Sequence, residues 1–271
     1  MVLKVKPRFR PIVWGNPKLN RSFNIEADPP IGEVWLLSEV EPLITSIDGV
    51  QNLKLKDLLD KFDLRFPRFP VLIKIVSPAQ WLSIQVHPDD ELARILENEP
   101  WGKTECWYFV EPGEVALIPR GTELKYLSDL DQVRSKLVFL NMKPGELLFI
   151  PAGLVHTLGP NSLVIEIQQA SDLTYRIYDW NRGRELHLEK AMKALKDFDL
   201  EKLIHKNFER LHCELFSVYR VIGRTHLPGF SIVIFLNEGV IAKYRAKPFE
   251  TFISMNETLE GDAIVVKIRK K

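Results

Sequence analysis

The feature that most constrains this chain is a series of short β-rich segments that follow one another from Phe69 to Asp179. Pro, Gly, Asn and Asp separate them, in turns such as Glu111-Pro112-Gly113 and Lys143-Pro144-Gly145. Short strands with turn signals at this spacing are typical of an antiparallel sandwich or barrel. Helical patterns do not alternate with the strands, which disfavours a doubly wound α/β fold. The predicted strands are Phe69 to Val76, Trp81 to Val86, Cys106 to Val110, Glu114 to Ile118, Lys136 to Leu140, Glu146 to Ile150, Leu163 to Gln168 and Thr174 to Asp179.

Helical periodicity occurs in a few places, and the β pattern resumes after about residue 200. Asp89 and Asp90 precede one of the helices and are predicted to cap it. We therefore expect a larger domain over residues 1–200, including an N-terminal extension, and a smaller C-terminal β-sheet domain over residues 201–271. The predicted helices are Leu53 to Phe62, Glu91 to Glu99 and Leu188 to Phe198, and the C-terminal strands are Glu214 to Arg220, Phe230 to Leu236, Val240 to Arg245, Thr251 to Ser254 and Ala263 to Ile268.

The charge and cysteine content exclude several classes of protein. The 271 residues carry 37 Lys and Arg against 36 Asp and Glu, so bulk electrostatics does not favour nucleic acid as a partner. The apolar stretches are of strand length, far short of the roughly 20 residues that span a bilayer, and we expect no membrane association. The chain has only two cysteines, Cys106 and Cys213, without C-x-x-C spacing, and this favours a reducing cytoplasm. Both cysteines are predicted to be buried.

Two segments carry polar residues with strand periodicity. Alternate residues of a strand share a face, so Ser83, Gln85 and His87 point one way. In the same way Lys103 and Glu105 share a face of the next segment. An ordinary half-exposed strand explains the first pattern, and a surface Lys and Glu explain the second, when each is taken alone.

A third segment ends a predicted buried strand with a Pro-x-Gly turn and then His156. A lone histidine at such a place is more often structural. Together with Gln85, His87 and Glu105, however, it completes two imidazoles, one carboxylate and one amide oxygen. Nitrogen and oxygen ligands of this kind suit a divalent transition metal, and three or four protein ligands with an open position are typical of a catalytic site.

The same residues resemble the cupin motifs. Gly145, Pro151, Gly153 and His156 stand at the offsets of the second motif, G-x5-P-x-G-x2-H. Gln85-x-His87 stands where the first motif usually has His-x-His, and a predicted short helix separates it from Glu105. The resemblance implies a mainly β fold, a cupin-type double-stranded β-helix (jelly-roll) barrel with a few short helices.

Longer stretches resemble the short bacterial and archaeal form of the type I mannose-6-phosphate isomerases. The N-terminal Ile31-Gly32-Glu33-Val34-Trp35 also fits this family. The resemblance fades after about residue 200. The motifs are, in order, Gln-Val-His-Pro-Asp-Asp, Gly-Lys-Thr-Glu-Cys-Trp-Tyr, Pro-Ala-Gly-x-Val-His-Thr-Leu, Glu-Ile-Gln-Gln-x-Ser-Asp-x-Thr-Tyr-Arg-x-Tyr-Asp-Trp and Arg-Glu-Leu-His-x-Glu-Lys-Ala.

The resemblance implies an enzyme that interconverts mannose 6-phosphate and fructose 6-phosphate, with one zinc ion per chain. It assigns catalytic roles to Arg176 and Lys103, and positions at the active-site wall and the phosphate end to Ser83 and Lys74. The sugar phosphate is the expected small-molecule partner, and the protein is expected to be a monomer or a homodimer. The implied metal ligands are Gln85, His87, Glu105 and His156.

An aldose-ketose isomerase must take a proton from a carbon beside a carbonyl and return it at the neighbouring carbon. A divalent metal can polarise the sugar oxygens, and it favours the neutral form of a nearby Lys103, which can then act as a base. Arg176 stays charged and therefore stabilises the enediolate or the phosphate. Lys103, a metal-bound water and a carboxylate such as Glu33 all stay open as the group that moves the proton.

Two other functions compete with the isomerase. The cupin ligand pattern alone also suits an iron or manganese oxygenase. The second alternative is a sugar-phosphate-binding protein that descends from such an enzyme and has no turnover. The loss of a metal ligand or of Lys103 would support this alternative. Lys103 and Arg176 favour the isomerase over the oxygenase, and no implied ligand is missing.

Overall fold

The computed structural model describes residues 1–51, 53–119 and 130–269, in which strands predominate over helices. The mainly β class predicted from the sequence is confirmed, and each of the eight strands predicted between residues 69 and 179 has a counterpart. The strands are β1 (Val2–Lys6), β2 (Arg8–Pro11), β3 (Ile31–Leu37), β4 (Ser46–Ile47), β5 (Val71–Val76), β6 (Ile84–Val86), β7 (Glu105–Phe109), β8 (Gly113–Leu117), β9 (Val138–Met142), β10 (Leu147–Ile150), β11 (His156–Leu158), β12 (Val164–Gln169), β13 (Tyr175–Tyr178), β14 (Ile204–His205), β15 (Arg210–His212), β16 (Phe216–Phe235), β17 (Gly239–Ile241), β18 (Tyr244–Ala246) and β19 (Thr251–Ile268).

Short helices lie between these strands, and none of those described has the length and apolar composition needed to cross a bilayer. The three predicted helices are present, with ends that differ by a few residues. Asp89 caps α3 as predicted, because its side chain accepts from the N–H of Leu92. Asp90 differs from the prediction: its carboxylate accepts from the N–H of Gly102 and so holds the following loop. The helices are α1 (Pro17–Phe23), α2 (Leu55–Asp60), α3 (Asp90–Glu97), α4 (Leu130–Ser135) and α5 (Leu188–Ala194), followed by a 3-10 turn at Leu200–Lys202.

The chain forms two compact units. The barrel unit comprises Arg10–Val34 and Ile75–Asn207, and the ribbon unit comprises Met1–Phe9, Trp35–Lys74 and Phe208–Lys271. The expected division at residue 200 differs from this one, since two N-terminal segments belong with the C-terminal strands. The reason is pairing between distant parts of the chain: β1 pairs with β19 on one side and with β4 on the other.

Two β-sheets build the barrel unit. One has the strand order β13-β6-β11-β8-β9, and the other runs β14-β10-β7-β12-β5-β3-β2, with the chain passing between the units in β3 and β5. One apolar cluster contains Val115 and Leu117 from the first sheet and Trp107 and Ile150 from the second. The inner faces of the two sheets therefore pack on each other, as expected of a jelly-roll barrel.

Strand β6 is buried on both faces. Ile84 and Val86 pack in a second apolar cluster with Ile177 of β13 and Ala191 of α5. The alternation of a strand then turns Gln85 into the barrel interior. Helix α5 thus covers the outer face of the strand that carries the candidate ligands, and a half-exposed strand is excluded here.

The ribbon unit differs from the prediction of separate short strands. A single strand, β16, replaces the segments expected at 214–220 and 230–236, and β19 replaces those at 251–254 and 263–268. Pro228 and Gly229 lie inside β16, where the register shifts between Leu227 and Phe230. Such bulges let a long strand bend without ending it, so β16 continues through residues that are typical of turns.

Candidate metal centre and active site

Strand register brings three candidate side chains into one row. His156 of β11 pairs with Gln85 of β6, which pairs on its other side with Arg176 of β13. Directly opposed residues of an antiparallel pair project from the same face of the sheet. His87 lies two residues beyond Gln85 and shares that face. The row therefore places both histidines, the glutamine and the arginine in the barrel interior.

Glu105 comes from the other sheet, at the start of β7, after helix α3. Two glycines allow the backbone to pass closely around it. A Cβ on Gly102 would lie 2.2 Å from the carbonyl oxygen of Pro88, and Gly153 has a φ of +99°, in the left-handed region that favours glycine. The N–H of Gly153 also donates to the carbonyl of His87 at 3.0 Å, which ties the Pro-x-Gly turn to the end of β6.

His87, Glu105 and His156 form a buried cluster that could hold a metal ion. The Oε1 atom of Glu105 lies 3.6 Å from Nε2 of His87 and 3.4 Å from Nε2 of His156. The exposed fractions of the three residues are 1%, 0% and 0%. Three potential ligand atoms thus converge on one point that is shielded from solvent.

The hydrogen bonds of the two imidazoles define which ring nitrogen faces the cluster. Nδ1 of His87 donates to the carbonyl of Leu173 at 2.8 Å, and Nδ1 of His156 donates to the carbonyl of Leu154 at 2.9 Å. Both Nε2 lone pairs are therefore directed toward Glu105. Within the described part of the chain, Nε2 of His87 and Oε1 of Glu105 have no hydrogen-bond partner. Lone pairs facing a carboxylate repel one another unless a cation lies between them.

The charge states fit the same conclusion. Burial, together with Lys103, lowers the pKa of His87, and burial together with His87 lowers the pKa of His156 to about 3. Burial acts to raise the pKa of Glu105, but Lys103 and His87 outweigh it and hold that pKa well below its ordinary value. Two neutral imidazoles and an ionised carboxylate are the protonation states that bind a divalent metal.

Gln85 lies beside this cluster with its amide nitrogen 3.3 Å from Nε2 of His156. Its Oε1 accepts a 2.8 Å hydrogen bond from the buried hydroxyl of Ser83. A half-turn of the amide exchanges oxygen and nitrogen, and the Ser83 hydroxyl can then accept from the NH2 group. Gln85 can therefore present its oxygen to a metal while Ser83 keeps a hydrogen bond to it.

Lys103 stands between two carboxylates. Its Nζ lies 2.8 Å from Oε2 of Glu105 and 3.3 Å from Oε1 of Glu166. Burial acts to lower the pKa of Lys103, but Glu105 and Glu166 outweigh it and raise that pKa, which favours the ammonium form over the neutral base expected beside a metal. Glu166 in turn accepts a 3.0 Å hydrogen bond from the indole of Trp107. Glu166 is a functional candidate to which no sequence motif assigned a role, although an acid between the buried Ile165 and Ile167 of β12 is a signal that could have indicated one.

Arg176 presents a half-buried guanidinium. Its Nε is buried and has no hydrogen-bond partner among the described residues. Burial and the neighbouring Arg184 lower its pKa, and the group remains charged. A cation of this kind inside the site can bind an anion or stabilise developing negative charge.

The two remaining predicted residues have partners of their own. Glu33 is almost buried, and its Oε2 accepts a 3.2 Å hydrogen bond from Arg10, which also contacts Asp172 at 3.4 Å. Lys74 belongs to the ribbon unit, where its Nζ lies 4.9 Å from the ring centre of Trp35. This is a cation–π distance.

Comparison with known proteins agrees with this geometry. The family description "Phosphomannose isomerase type I, catalytic domain" matches residues 2–103. The chain is 32% identical over 259 residues to the probable mannose-6-phosphate isomerase GmuF of Bacillus subtilis, which covers 84% of this chain and 82% of the relative. The mannose-6-phosphate isomerase ManA of the same organism is 33% identical over 252 residues, covering 83% and 79%.

The fold agrees with a solved structure over its whole length. The crystal structure of the mannose 6-phosphate isomerase from Bacillus subtilis superposes with a TM-score of 0.84 and 26% identity, covering 98% of this chain and 99% of the other. The barrel and its buried cluster of two histidines and a glutamate thus define a cupin-type protein with a cluster that could hold a metal. More specifically, the chain belongs to the type I phosphomannose isomerase family. Because these relatives are isomerases, an oxygenase and a binding protein without turnover are not favoured.

Proposed function

We propose that this protein is a metal-dependent isomerase that interconverts mannose 6-phosphate and fructose 6-phosphate. The observation that carries the proposal is the buried cluster of His87, Glu105 and His156, with Lys103 beside it and Arg176 on the same face of the barrel. The substrate is inferred from the relatives, which are named mannose-6-phosphate isomerases. The metal ligands, the catalytic residues and the identity of the metal are part of the proposal.

The proposed metal is one zinc ion per chain, held by His87, Glu105, His156 and, through its amide oxygen, Gln85. Two imidazoles and a carboxylate with an additional oxygen ligand form a donor set that zinc accepts in catalytic sites. When bound, such a cation supplies a Lewis acid for the hydroxyl and carbonyl oxygens of the sugar. Ser83 orients Gln85, and the carbonyls of Leu173 and Leu154 orient the histidines.

The remaining roles follow from charge and position. Arg176 stabilises the enediolate or binds the phosphate, because its guanidinium is charged, half-buried and open to an anion. Lys103 moves a proton at the sugar oxygens or carbons, with Glu105 and Glu166 stabilising its charged form. Glu33, which is held by Arg10, is proposed to contact the substrate, and for Lys74 the family resemblance implies a position at the phosphate end. We further propose a cytoplasmic enzyme that is a monomer or a homodimer.

The test is an assay of purified, zinc-loaded protein with mannose 6-phosphate, in which the fructose 6-phosphate formed is coupled to a spectroscopic signal. We expect turnover in both directions and loss of turnover after chelation, with recovery when zinc is returned. Oxygen consumption is recorded in the same samples. Zinc-loaded protein that binds the sugar phosphate without turnover, or that consumes oxygen, contradicts the proposal.

A further inference from the structure

The turn after β13 carries two arginines, Arg182 and Arg184, that contact the carboxylate of Asp179, and Arg176 lies in β13 just before it. The N–H of Arg182 donates to the carbonyl of Asp179 at 3.0 Å and closes the turn. The chain then returns beside Arg176, where the N–H of His187 donates to the Arg176 carbonyl at 2.8 Å and Nδ1 of His187 accepts from the Arg176 N–H at 3.2 Å. Arg176 and the returning segment, which contains Arg184, are therefore held side by side.

Both carboxylate oxygens of Asp179 accept hydrogen bonds from Arg184. Nε of Arg184 donates to Oδ2 at 2.7 Å, and its Nη2 donates to Oδ1. Nη2 of Arg182 shares Oδ1 at 2.8 Å. Asp179 is only 3% exposed, so this two-point contact is shielded and fixes the plane of the Arg184 guanidinium. A guanidinium fixed in one orientation is expected where the side chain must bind a ligand in one geometry.

The cluster has an excess of positive charge. Arg176, Arg182 and Arg184 lie near Asp179, and the charges of Asp172 and Arg10 also act on Arg176. Arg10 is paired with Glu33 and Asp172, and the nearby Glu185 is turned to solvent with its side chain 83% exposed. Four arginines thus face three carboxylates, and the remaining positive charge suits an anion such as phosphate. Arg184 keeps a quarter of its side chain open to solvent, so that a ligand can reach it.

The position of the cluster relative to the metal ligands suits a sugar phosphate. His156, Gln85 and Arg176 lie on three adjacent strands, so Arg176 is about 10 Å from His156 across the sheet. A hexose phosphate whose first two carbons lie at the metal centre extends its phosphate over a comparable distance. Arg184 lies three residues before His187, whose backbone bonds to that of Arg176, and its charge acts on Arg176.

We propose that Arg184, beside Arg176, binds the substrate phosphate, and that Asp179 is the positioning residue that holds Arg184 for this contact. The proposal rests on the proposed function for the identity of the sugar phosphate. Its chemistry requires only that the site take a phosphate dianion.

The first experiment compares R184Q and R184K with the unchanged protein, all of them full-length and zinc-loaded. We expect KM for mannose 6-phosphate to rise roughly 10- to 100-fold in R184Q, in the range of a lost charge-assisted hydrogen bond, with kcat much less affected. Inorganic phosphate, measured by calorimetry and as a competitive inhibitor, should lose affinity in parallel. R184K keeps the charge but not the two-point contact, and should lie between the two.

The second experiment compares D179N with E185Q, because each variant removes one negative charge from the same segment. If Asp179 acted only through its charge, D179N would bind inorganic phosphate more tightly. As a positioning residue, it should instead weaken phosphate binding several-fold and raise KM, while E185Q leaves KM unchanged or slightly lower. Zinc content and the thermal midpoint of every sample show whether a variant has lost its fold.

R184Q with unchanged phosphate affinity and KM overturns the role of Arg184. Tighter phosphate binding by D179N, in protein that retains its zinc and its thermal midpoint, overturns the role of Asp179. If D179N does not fold, R184K decides the matter, because equal phosphate affinity in R184K and the unchanged protein shows that orientation is unimportant. Calorimetry with inorganic phosphate needs no turnover, so a failure of the isomerase assay is distinguishable from a failure of this proposal.

Discussion

At the scale of single residues, the candidate metal centre depends on side chains with two polar atoms, of which one contacts a neighbouring group and the other faces the centre of the cluster. His87 and His156 each give one ring nitrogen to a backbone carbonyl and direct the other at Glu105. Glu105 divides its oxygens in a similar way, with Oε2 near Lys103 and Oε1 near the two imidazoles. Ligand roles and proton-transfer roles are thus assigned to different atoms, and substitutions can separate them.

Substitution of a proposed ligand should remove metal and activity together. In His87→Ala we expect less than one zinc per chain and a corresponding loss of turnover, because one of the converging ligand atoms is gone. Lys103→Met should lose kcat but keep its zinc, since Lys103 is not a ligand in the proposal. Metal analysis and steady-state kinetics on the same samples provide the check, with His226→Ala, an exposed histidine, as the control. Full activity in metal-free His87→Ala protein would contradict the ligand assignment.

Arg176 offers a test that separates stabilisation of a transition state from binding of the ground state. Arg176→Lys keeps the positive charge but loses the planar fork that can hold two oxygens. If Arg176 stabilises the enediolate, kcat should fall by more than KM rises, at a cost of roughly 2 to 4 kcal/mol. Kinetics in both directions of the reaction distinguish the cases. A change confined to KM would instead identify Arg176 as a phosphate anchor.

At the scale of elements, the site depends on places where one backbone segment passes very close to another. The segment that leads into β7 approaches the end of β6, with the N–H of Lys103 donating to the carbonyl of Pro88 at 3.0 Å. Gly102 makes this approach possible because a side chain there would meet the backbone of Pro88 and Asp89. The glycine that precedes Lys103 thus has a steric role in placing Lys103 and Glu105.

Gly102→Ala should displace the start of β7 from the end of β6. Its Cβ would lie 2.2 Å from the Pro88 carbonyl oxygen and 2.4 Å from the backbone carbon of Asp89, neither of which can move as a side chain can. We expect a loss of stability of about 1–3 kcal/mol, as in other overpacked sites, and weaker zinc binding. Denaturant unfolding and zinc titration measure the two effects. Unchanged values for both would show that the approach can relax without consequence for Glu105.

At the scale of the whole molecule, the ribbon unit is built from both ends of the chain. Strand β1 is paired with β19 over Val2 to Lys4. Val2 also packs against an apolar cluster that includes Phe235, Phe252 and Val265. The proposed metal ligands and catalytic residues all belong to the barrel unit. The C-terminal strands therefore contribute packing for N-terminal segments and none of the proposed metal ligands.

Removal of the C-terminal strands should therefore cause misfolding of the chain. A protein of residues 1–205 would leave β1 without β19 and would expose the apolar side chains of the segment Trp35–Lys74 that the ribbon unit buries. We expect aggregation on expression, which gel filtration and circular dichroism can detect. A folded, monodisperse product of residues 1–205 would contradict this expectation.

Several features of this protein follow from local patterns in the sequence. Alternation along a strand places Gln85 and His87 on one face whatever their partner strands are, and the Pro-x-Gly turn determines where His156 begins its strand. The predicted strands between residues 69 and 179 and the cap at Asp89 also follow from local patterns. Strand alternation, turn positions and helix caps depend on the geometry of neighbouring residues along the chain, and a single sequence is enough to predict them.

Other features are decided only by contacts between distant segments. Glu166 approaches Lys103, and β1 joins β19, through strand register that no local pattern specifies. The two hydrogen bonds from Arg184 to the Asp179 carboxylate depend on a turn that returns the chain beside Arg176. The length of β16 depends on β19, because β16 pairs with β19 on both sides of the register shift at Pro228-Gly229. The physical reason is the same in each case: burial and cross-strand hydrogen bonds between residues far apart in the sequence outweigh local preference.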